Sequence, residues 1–364
     1  MKKVIILGGS FDPIHKGHIS ILKEAMNELD INEGWLMIAR NPRWKSDYSS
    51  ISMRLKLLSL VVKNEKNIKI CKEELNDKST NYTYNTMLRL KEKYNNIEFY
   101  FLIGGDQLNL LNKWYEIDKL SRIVNFVVVN RPNYELNNEN IKKYNCKVIN
   151  YNGPDISSTD FKNTLNLNLI PEYLHDYIIK TGDYYKRKLR KLVNYRRYCH
   201  SLQVAKLAKE IAMNNSYDEN KAFLAGLLHD CAKDVKKSIE DEIMLKLFSK
   251  HISEKRLVYH QYVGSILVEK EFNIKDIDII DAIRCHTTGE VNMSTLSKIL
   301  YCADKIEPTR GFDSSYMINE CLNDIEKGFL LVLKENYIFL VKEKGLNLKD
   351  SSATKECLEY YKIV

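Results

Sequence analysis

The sequence predicts an α/β domain built on a parallel sheet, followed by an all-helical domain. Three observations point there. Up to about residue 130, short apolar runs alternate with segments whose apolar residues recur every three or four positions. A glycine-rich turn follows the first run, and beyond residue 185 the short runs stop and nearly every segment has helical spacing. Short strands alternating with amphipathic helices imply a parallel sheet covered on both faces, here a Rossmann-like arrangement. A length of 364 residues suits two domains, 1–185 and 186–364.

The elements follow in order. Val4–Leu7 reads as a buried strand, its apolar run too short for the core of a signal peptide. Ile19, Leu22, Ala25, Met26 and Leu29 share one helical face. Trp35–Ala39 is a strand, Met53–Val62 a helix behind Ser52 as N-cap, and Ile68–Cys71 a strand. Tyr84–Tyr94 is a helix, and Phe99–Ile103 and Phe126–Val129 are strands. From Ile156 to Thr181 the pattern is helical again, with Pro171 in the first turn of the last helix and Thr181-Gly182 as its stop. The basic run Tyr184–Lys191 marks the boundary and reads as a solvated linker or helix face.

Composition excludes several classes. No segment approaches the roughly 18 apolar residues of a membrane span. Eight cysteines without a C-x-x-C pair suit reduced thiols in the cytoplasm. The net charge of +8 fits nucleotide and polyphosphate substrates; without zinc-finger spacing or an aromatic-basic motif, no nucleic acid partner is expected.

The richest motif is Gly8-Gly9-Ser10-Phe11-Asp12-Pro13-Ile14-His15-Lys16-Gly17-His18, between the first strand and the first helix. Ligands of open parallel sheets bind at this strand edge, where glycines admit phosphate close to the backbone and a helix N-terminus offers free N–H groups. His15 and His18, three apart, can face one cluster of phosphate oxygens and stabilise charge developing there. The motif is neither the dinucleotide fingerprint nor a Walker loop.

This pattern resembles the H-x-G-H signature of the nucleotidyltransferase superfamily, and within it the bacterial nicotinate mononucleotide adenylyltransferases, over residues 1 to about 185. Thr83-Tyr84-Asn85-Thr86, Ile103-Gly104-Gly105-Asp106, Lys113-Trp114-Tyr115, Arg131-Pro132 and Ile156-Ser157-Ser158-Thr159 extend the likeness. The resemblance implies transfer of AMP from ATP to nicotinate mononucleotide, with pyrophosphate leaving alongside Mg²⁺. It further implies that His15 and His18 bind ATP phosphates and that Gly8, Gly9, Ser10 and Phe11 lie under the nucleotide. Asp106 and Arg131 would hold ATP, and Ser157, Ser158 and Thr159 would take phosphate oxygens. Thr83, Tyr84, Trp114 and Tyr115 would form the nicotinate pocket, with Lys45 near the phosphates. Lys162 stands where the family has an arginine, keeping the charge without the bidentate fork. Nicotinamide mononucleotide is the alternative acceptor.

In the second half His200, His229, His260, His286 and Asp304 each share a helical face with apolar residues. Buried imidazoles and carboxylates without partners are costly, so these residues are expected to meet around metal. The set resembles the HD hydrolase superfamily, named for the pair His229-Asp230. Arg197–Ser201, His229–Lys233, His286–Gly289 and Ala303–Arg310 resemble the bacterial YqeK family, over about residues 190–350. That resemblance implies symmetric hydrolysis of diadenosine tetraphosphate to two ADP. It gives metal ligands His200, His229, Asp230, His260, His286 and Asp304, enough for two ions, with Asp230 shared. Histidine and carboxylate ligands without thiolate favour iron or manganese. Lys233 and Arg310 would bind polyphosphate oxygens, and Cys199, Cys231 and Cys285 read as small buried residues. The alternatives are another nucleotide substrate or a nucleotide-binding regulator of the transferase; a homo-oligomer is left open.

Overall fold

The computed structural model describes residues 2–40, 48–76, 82–130, 135–345, 347–348 and 351–364. Lys45 and Arg131 lie outside the described residues. The chain divides into two compact units, one of residues 1–162 and 166–177, the other of 163–165 and 178–364.

The first unit alternates strand and helix. Its elements are β1 (Lys2–Gly9), α1 (Lys16–Glu28), β2 (Gly34–Ile38), α2 (Ile51–Asn64), β3 (Ile68–Cys71), α3 (Thr83–Lys93) and β4 (Ile97–Gly104). Then come α4 (Gly105–Asn109), α5 (Ile117–Leu120), β5 (Asn125–Asn130), α6 (Asn138–Lys143), β6 (Lys147–Asn150) and α7 (Ser158–Thr164). The six strands form one sheet in the order β3-β2-β1-β4-β5-β6, and every neighbouring pair is parallel. Val4, Ile5 and Ile6 of β1 and Phe126, Val127 and Val128 of β5 are wholly buried, as expected of strands covered on both faces. From β1 the chain builds outward through β2 and β3 on one side, and from β4 outward on the other. The crevice at the carboxyl ends of β1 and β4 is therefore the topological switch point.

Three details differ from the sequence expectation. Ser50, rather than Ser52, caps α2, its hydroxyl accepting the Met53 N–H at 3.2 Å. Pro171 precedes a 3-10 turn, Glu172–Leu174, and only then does α8 (His175–Thr181) begin. β6 carries no apolar run: Val148 is exposed and only Ile149 is buried, because this is an edge strand.

The second unit is helical. α9 (Asp183–Leu192) follows Gly182, whose φ of +62° suits glycine and at which a Cβ would lie 2.5 Å from the Phe223 ring. The basic run is thus a helix that buries Tyr184, Tyr185 and Leu189, leaves Arg190 and Lys191 exposed and half-buries Lys186, Arg187 and Lys188. α10 (Tyr195–Asn214), α11 (Glu219–Leu228), α12 (Lys237–Leu247), α13 (Tyr259–Lys270), α14 (Ile277–Cys285) and α15 (Thr295–Ile306) carry the residues of interest. α16 (Ser315–Asn323), α17 (Ile325–Lys344) and α18 (Ser352–Tyr360) complete the unit. Among the described residues no helix is long and apolar enough to cross a membrane.

Candidate functional site

At the switch point β1 ends in Gly8-Gly9 and the chain turns through Phe11, whose φ is +47°. A Cβ on Gly9 would come within 3.1 Å of the buried Phe11 ring, so a side chain there fits only if that ring gives way. His15 is the N-cap of α1 and forms a reciprocal cap with His18. His15 Nδ1 accepts the His18 N–H and His18 Nδ1 accepts the His15 N–H, each at 3.3 Å, with the rings stacked 3.5 Å apart. A nitrogen that accepts an N–H carries no proton, so each neutral ring is protonated at Nε2. Both Nε2 atoms are then hydrogen-bond donors at a helix start, suited to an anion.

Residues from other elements meet this turn. Asp12 is fully buried, and its Oδ2 accepts the Ser49 N–H at 3.2 Å and lies 3.7 Å from Lys162 Nζ. Ser158 Oγ donates to the Pro13 carbonyl at 2.9 Å. Ser157 instead caps α7: its N–H and hydroxyl donate to Asp160 Oδ2 and its Oγ accepts the Asp160 N–H. Those bonds hold the Asp160 carboxyl below its usual range. Thr159 is exposed in the first turn of α7. Asp106 opens α4 at the end of β4, its carboxylate over Gly104, where a Cβ would lie 2.5 Å from Oδ1.

The candidate acceptor residues are divided. Tyr115 stacks on Tyr82 at 4.3 Å and lies 6.4 Å from Tyr84, with Thr83 beside them at the start of α3. Trp114 is half-buried and packs edge-on to Phe101 and Phe126.

Sequence reasoning missed Arg54. This arginine is fully buried and donates to the carbonyls of Ser10, Ala39, Arg40 and Ser49, tying the turn after β1 to the chain after β2. Its signal was present: Arg54 lies on the same α2 face as Leu57, Leu58 and Val61, a lone cation in an apolar stripe.

In the second unit four imidazoles converge on two carboxylates. The Nδ1–H groups of His229, His260 and His286 donate to the carbonyls of Gly226, Leu257 and Ile283 at 2.7, 2.8 and 2.7 Å. Their Nε2 lone pairs therefore turn inward. His260 Nε2 and His286 Nε2 are 3.2 Å apart and lie 3.3 and 3.6 Å from Asp230 Oδ1. His229 Nε2 lies 3.7 Å from Asp230 Oδ2 and 3.6 Å from Asp304 Oδ1. His200 Nε2 is 3.2 Å from Asp304 Oδ1. His229 Nε2 and Asp230 Oδ1 are enclosed and have no hydrogen-bond partner among the described residues. Two ligand groups result, His200–His229–Asp304 and His229–Asp230–His286, each with donor atoms within 4.8 Å of one another. His260 joins the second through Asp230.

Electrostatics favour the ligating forms of His260, His286 and the two carboxylates, whereas at His229 the nearby Asp230 and Asp304 outweigh burial and raise the imidazole. Burial pushes His260 well below the usual imidazole range, and burial likewise lowers His286, so both rings tend to neutrality. Burial opposes charge on Asp230 and Asp304 too, but His229 and His286 hold Asp230, and Lys305 and His200 hold Asp304, well below the carboxylate range.

The centre opens into a cleft of about 970 Å³. Arg196, Arg197, Lys233, Lys305 and Arg310 line it, a set suited to a polyanion. Arg310 and Lys305 reach Asp304 at 2.6 and 2.7 Å. Burial lowers the Lys233 ammonium, against the pull of Asp230 and Asp304. Cys231 and Cys285 are buried with Sγ turned to the carbonyls of Gly264 and Ala282, whereas Cys199 is only half-buried and lines the cleft. Two further residues were not singled out from the sequence, Gln261 and, within the family-like segment His286–Gly289, Thr287. Gln261 accepts the N–H groups of Thr287 and Thr288, and Thr287 Oγ1 lies 3.1 Å from Nε2 of both His260 and His286.

Comparison with known proteins follows this division. Residues 6–164 match the cytidylyltransferase-like family and residues 197–309 the HD domain. A Mycoplasma genitalium protein named "probable nicotinate-nucleotide adenylyltransferase/Ap4A hydrolase" is 32% identical over 343 residues, covering 92% of this chain and 97% of that protein. A Bacillus cereus "probable nicotinate-nucleotide adenylyltransferase" is 44% identical over 138 residues, 37% of this chain and 73% of that protein. Among solved structures, nicotinic acid mononucleotide adenylyltransferase of Plasmodium falciparum, complexed with APC, is similar at 27% identity with a TM-score of 0.44. It covers 50% of this chain and 98% of that one.

Proposed function

The chain belongs to the family of two-domain nicotinate-nucleotide adenylyltransferase/Ap4A hydrolases, and on that premise we propose that it carries two activities. The first unit transfers AMP from ATP to nicotinate mononucleotide. The second hydrolyses diadenosine tetraphosphate symmetrically to two ADP.

In the transfer, a phosphate oxygen of nicotinate mononucleotide attacks the α-phosphorus of ATP. The new P–O bond forms as the bond to the β-phosphate's bridging oxygen breaks, giving nicotinate adenine dinucleotide and pyrophosphate. Mg²⁺ enters on ATP, as it usually does when held by substrate phosphates rather than by a protein cage. The observation that carries this reading is the reciprocal His15–His18 cap, which turns two Nε2–H donors into a phosphate-binding helix start. There they stabilise the charge that builds on the leaving phosphates. Gly8, Gly9, Ser10 and Phe11 supply the backbone cradle; by the family resemblance Asp106, Arg131, Thr159 and Lys162 would contact ATP and Lys45 would serve the phosphates. Ser157 and Ser158 act by shaping the α7 terminus, and Thr83, Tyr84, Trp114 and Tyr115 hold the pyridine ring. Steady-state kinetics with nicotinate and nicotinamide mononucleotide, side by side, tests the acceptor; preference for the amide would overturn the assignment.

For the hydrolase, the carrying observation is the inward turn of the Nε2 lone pairs onto two carboxylates, with His229 Nε2 and Asp230 Oδ1 unpartnered. Lone pairs crowded with carboxylate oxygens favour a positive charge between them, and two clusters with ligand spacing suit metal ions. His200, His229, Asp230, His260, His286 and Asp304 would hold two ions, iron or manganese, a histidine and carboxylate set from which the Cys231 and Cys285 thiols turn away. Bound there, such ions supply Lewis acidity and lower the pKa of water. The chain's own cations do the rest: Lys233, Lys305 and Arg310 bind the polyphosphate and orient it so that water attacks a central phosphorus. Elemental analysis together with product chromatography tests both parts. AMP plus ATP as products would exclude the symmetric cut. The eight free thiols suit a cytoplasmic protein.

A further inference from the structure

Three of the four imidazoles at the hydrolase centre sit at helix ends. His229 closes α11, His286 closes α14, and His260 is the second residue of α13. The last carbonyls of α11 and α14 lack helical N–H partners, and the Leu257 carbonyl lies ahead of α13. Each of these rings uses one, three residues back, to fix its tautomer and its tilt. Their orientation is set by their own stretch of chain.

His200 has no such carbonyl. It is the sixth residue of the 20-residue α10, where the carbonyls behind it belong to the helix ladder. Its Nδ1 instead meets Glu307 Oε1 at 3.1 Å, across 107 positions of chain. Glu307 ends α15 and is only 2% exposed. The Thr309 N–H donates to its Oε2 at 2.7 Å, and the Thr309 hydroxyl reaches both oxygens, at 2.8 and 2.7 Å. The carboxylate therefore has a fixed place, and its remaining accepting capacity points at one ring. His200 is also the most exposed of the four imidazoles, its side chain 20% accessible against 0% for His229. Its packing constrains it least.

We infer that Glu307 is the positioning residue of the His200–His229–Asp304 group. Through the Nδ1 hydrogen bond it accepts the Nδ1–H, fixes the tilt of the ring and turns the Nε2 lone pair into the space beside Asp304. The inference rests on the metal reading above. It makes the two metal positions unlike in construction: every Nδ1 of the Asp230 group is held by a backbone carbonyl, whereas in the Asp304 group the Nδ1 of His200 is held by a carboxylate from another helix.

The test is metal affinity in the full-length chain. Protein stripped with chelator is titrated with Mn²⁺, and free Mn²⁺ is followed by its paramagnetic resonance signal. The native chain should bind two ions. Glu307→Gln keeps an oxygen for Nδ1–H but loses the charge, and should weaken one of the two positions about tenfold. Glu307→Ala also loses the orientation, and should approach a hundredfold at that position. The other position should be unchanged in both variants. A double-mutant cycle separates positioning from a merely structural role: in a His200→Ala background, Glu307→Gln should cause no further loss. Equal constants for Glu307→Gln and native protein, weakening of both positions alike, or a loss that adds to that of His200→Ala would each overturn the assignment. A native chain that takes up no Mn²⁺ would sink the metal reading itself, and this inference with it.

Discussion

His18 divides its ring nitrogens between two tasks: Nδ1 accepts the His15 N–H, and Nε2 is left with the proton. His18→Ala should therefore lower adenylyl transfer about a hundredfold or more, the usual cost of one preorganised donor. Loss of half the cap should cost about 1 kcal/mol in stability, leaving the fold intact. Near-normal turnover by the variant would show that Nε2 does not face phosphate. Lys162 has a different neighbour, the buried Asp12 carboxylate 3.7 Å away, so its charge is needed whatever else it touches. Lys162→Arg should leave turnover intact and the KM for ATP unchanged or lower, because the fork can serve Asp12 and a phosphate oxygen together. Glu33 offers a pH test far from either site. Burial opposes its charge, but hydrogen bonds from Lys2, Trp35 and Lys69 prevail and bring its pKa down to about 2. A depressed folded-state pKa stabilises above the ordinary value of 4.5 and loses that effect as pH falls from there through about 2. With exposed lysines screening the pair, the contribution is about 1 kcal/mol. Melting curves of Glu33→Gln and native protein should differ at pH 7 and converge towards pH 2. At this scale the sequence was most legible where a rare residue type stood in an apolar stripe, as His200, His229 and Asp304 do. Arg54 stands in such a stripe as well, but its role, like that of Glu307, lies in partners far along the chain that periodicity does not name: the carbonyls of Ser10 and Ala39 for Arg54, His200 for Glu307.

Among elements, the approach of α10 to α11 sets the ligand geometry, and it hinges on Gly226. A Cβ there would lie 2.7 Å from Ala205 Cα and 2.9 Å from Ala205 N, backbone atoms that have nowhere to rotate. The carbonyl of the same residue holds His229 Nδ1 at 2.7 Å. Gly226→Ala should thus destabilise the second unit by about 2 kcal/mol, in the range of overpacked cores, and lower its metal content as His229 shifts. Denaturant melts and metal analysis on the same sample check both effects; a stable variant with full metal would mean that the helices can separate without moving the ring. Periodicity gave the long elements because burial on two faces writes itself into β1, β4 and β5 as apolar runs. It could not give β6, which buries one residue, nor choose between Ser50 and Ser52, since either hydroxyl stands before the same apolar face. The basic run was ambiguous for a related reason. Its cations dominate the composition, while Tyr184, Tyr185 and Leu189 decide that it is a helix.

For the whole molecule the question is whether two chemistries in one chain depend on each other. Each unit has a core of its own: Val4, Phe99, Phe126 and their neighbours in the first, Ala232, Tyr262, Val263 and theirs in the second. The residues proposed for adenylyl transfer all precede residue 163, and the proposed metal ligands begin at His200. The two sites therefore draw on separate side chains and separate packing, and single substitutions should divide the activities cleanly. Asp230 is the decisive position. Its two oxygens face His229, His260 and His286, and among the described residues the other carboxylate of the centre, Asp304, lies within ion-pair distance of His229 but not of His260 or His286. Asp230→Ala should leave three imidazoles without their anion, release metal from the centre and abolish release of ADP from diadenosine tetraphosphate. Adenylyl transfer should continue at the native rate, because no side chain of the first unit is altered. His18→Ala should give the reverse pattern, with hydrolysis and metal content intact. Both variants are assayed for both reactions on the same preparation. If Asp230→Ala slowed adenylyl transfer as much as hydrolysis, with the first unit still folded, the two halves would have to be coupled through binding energy rather than joined only by the chain.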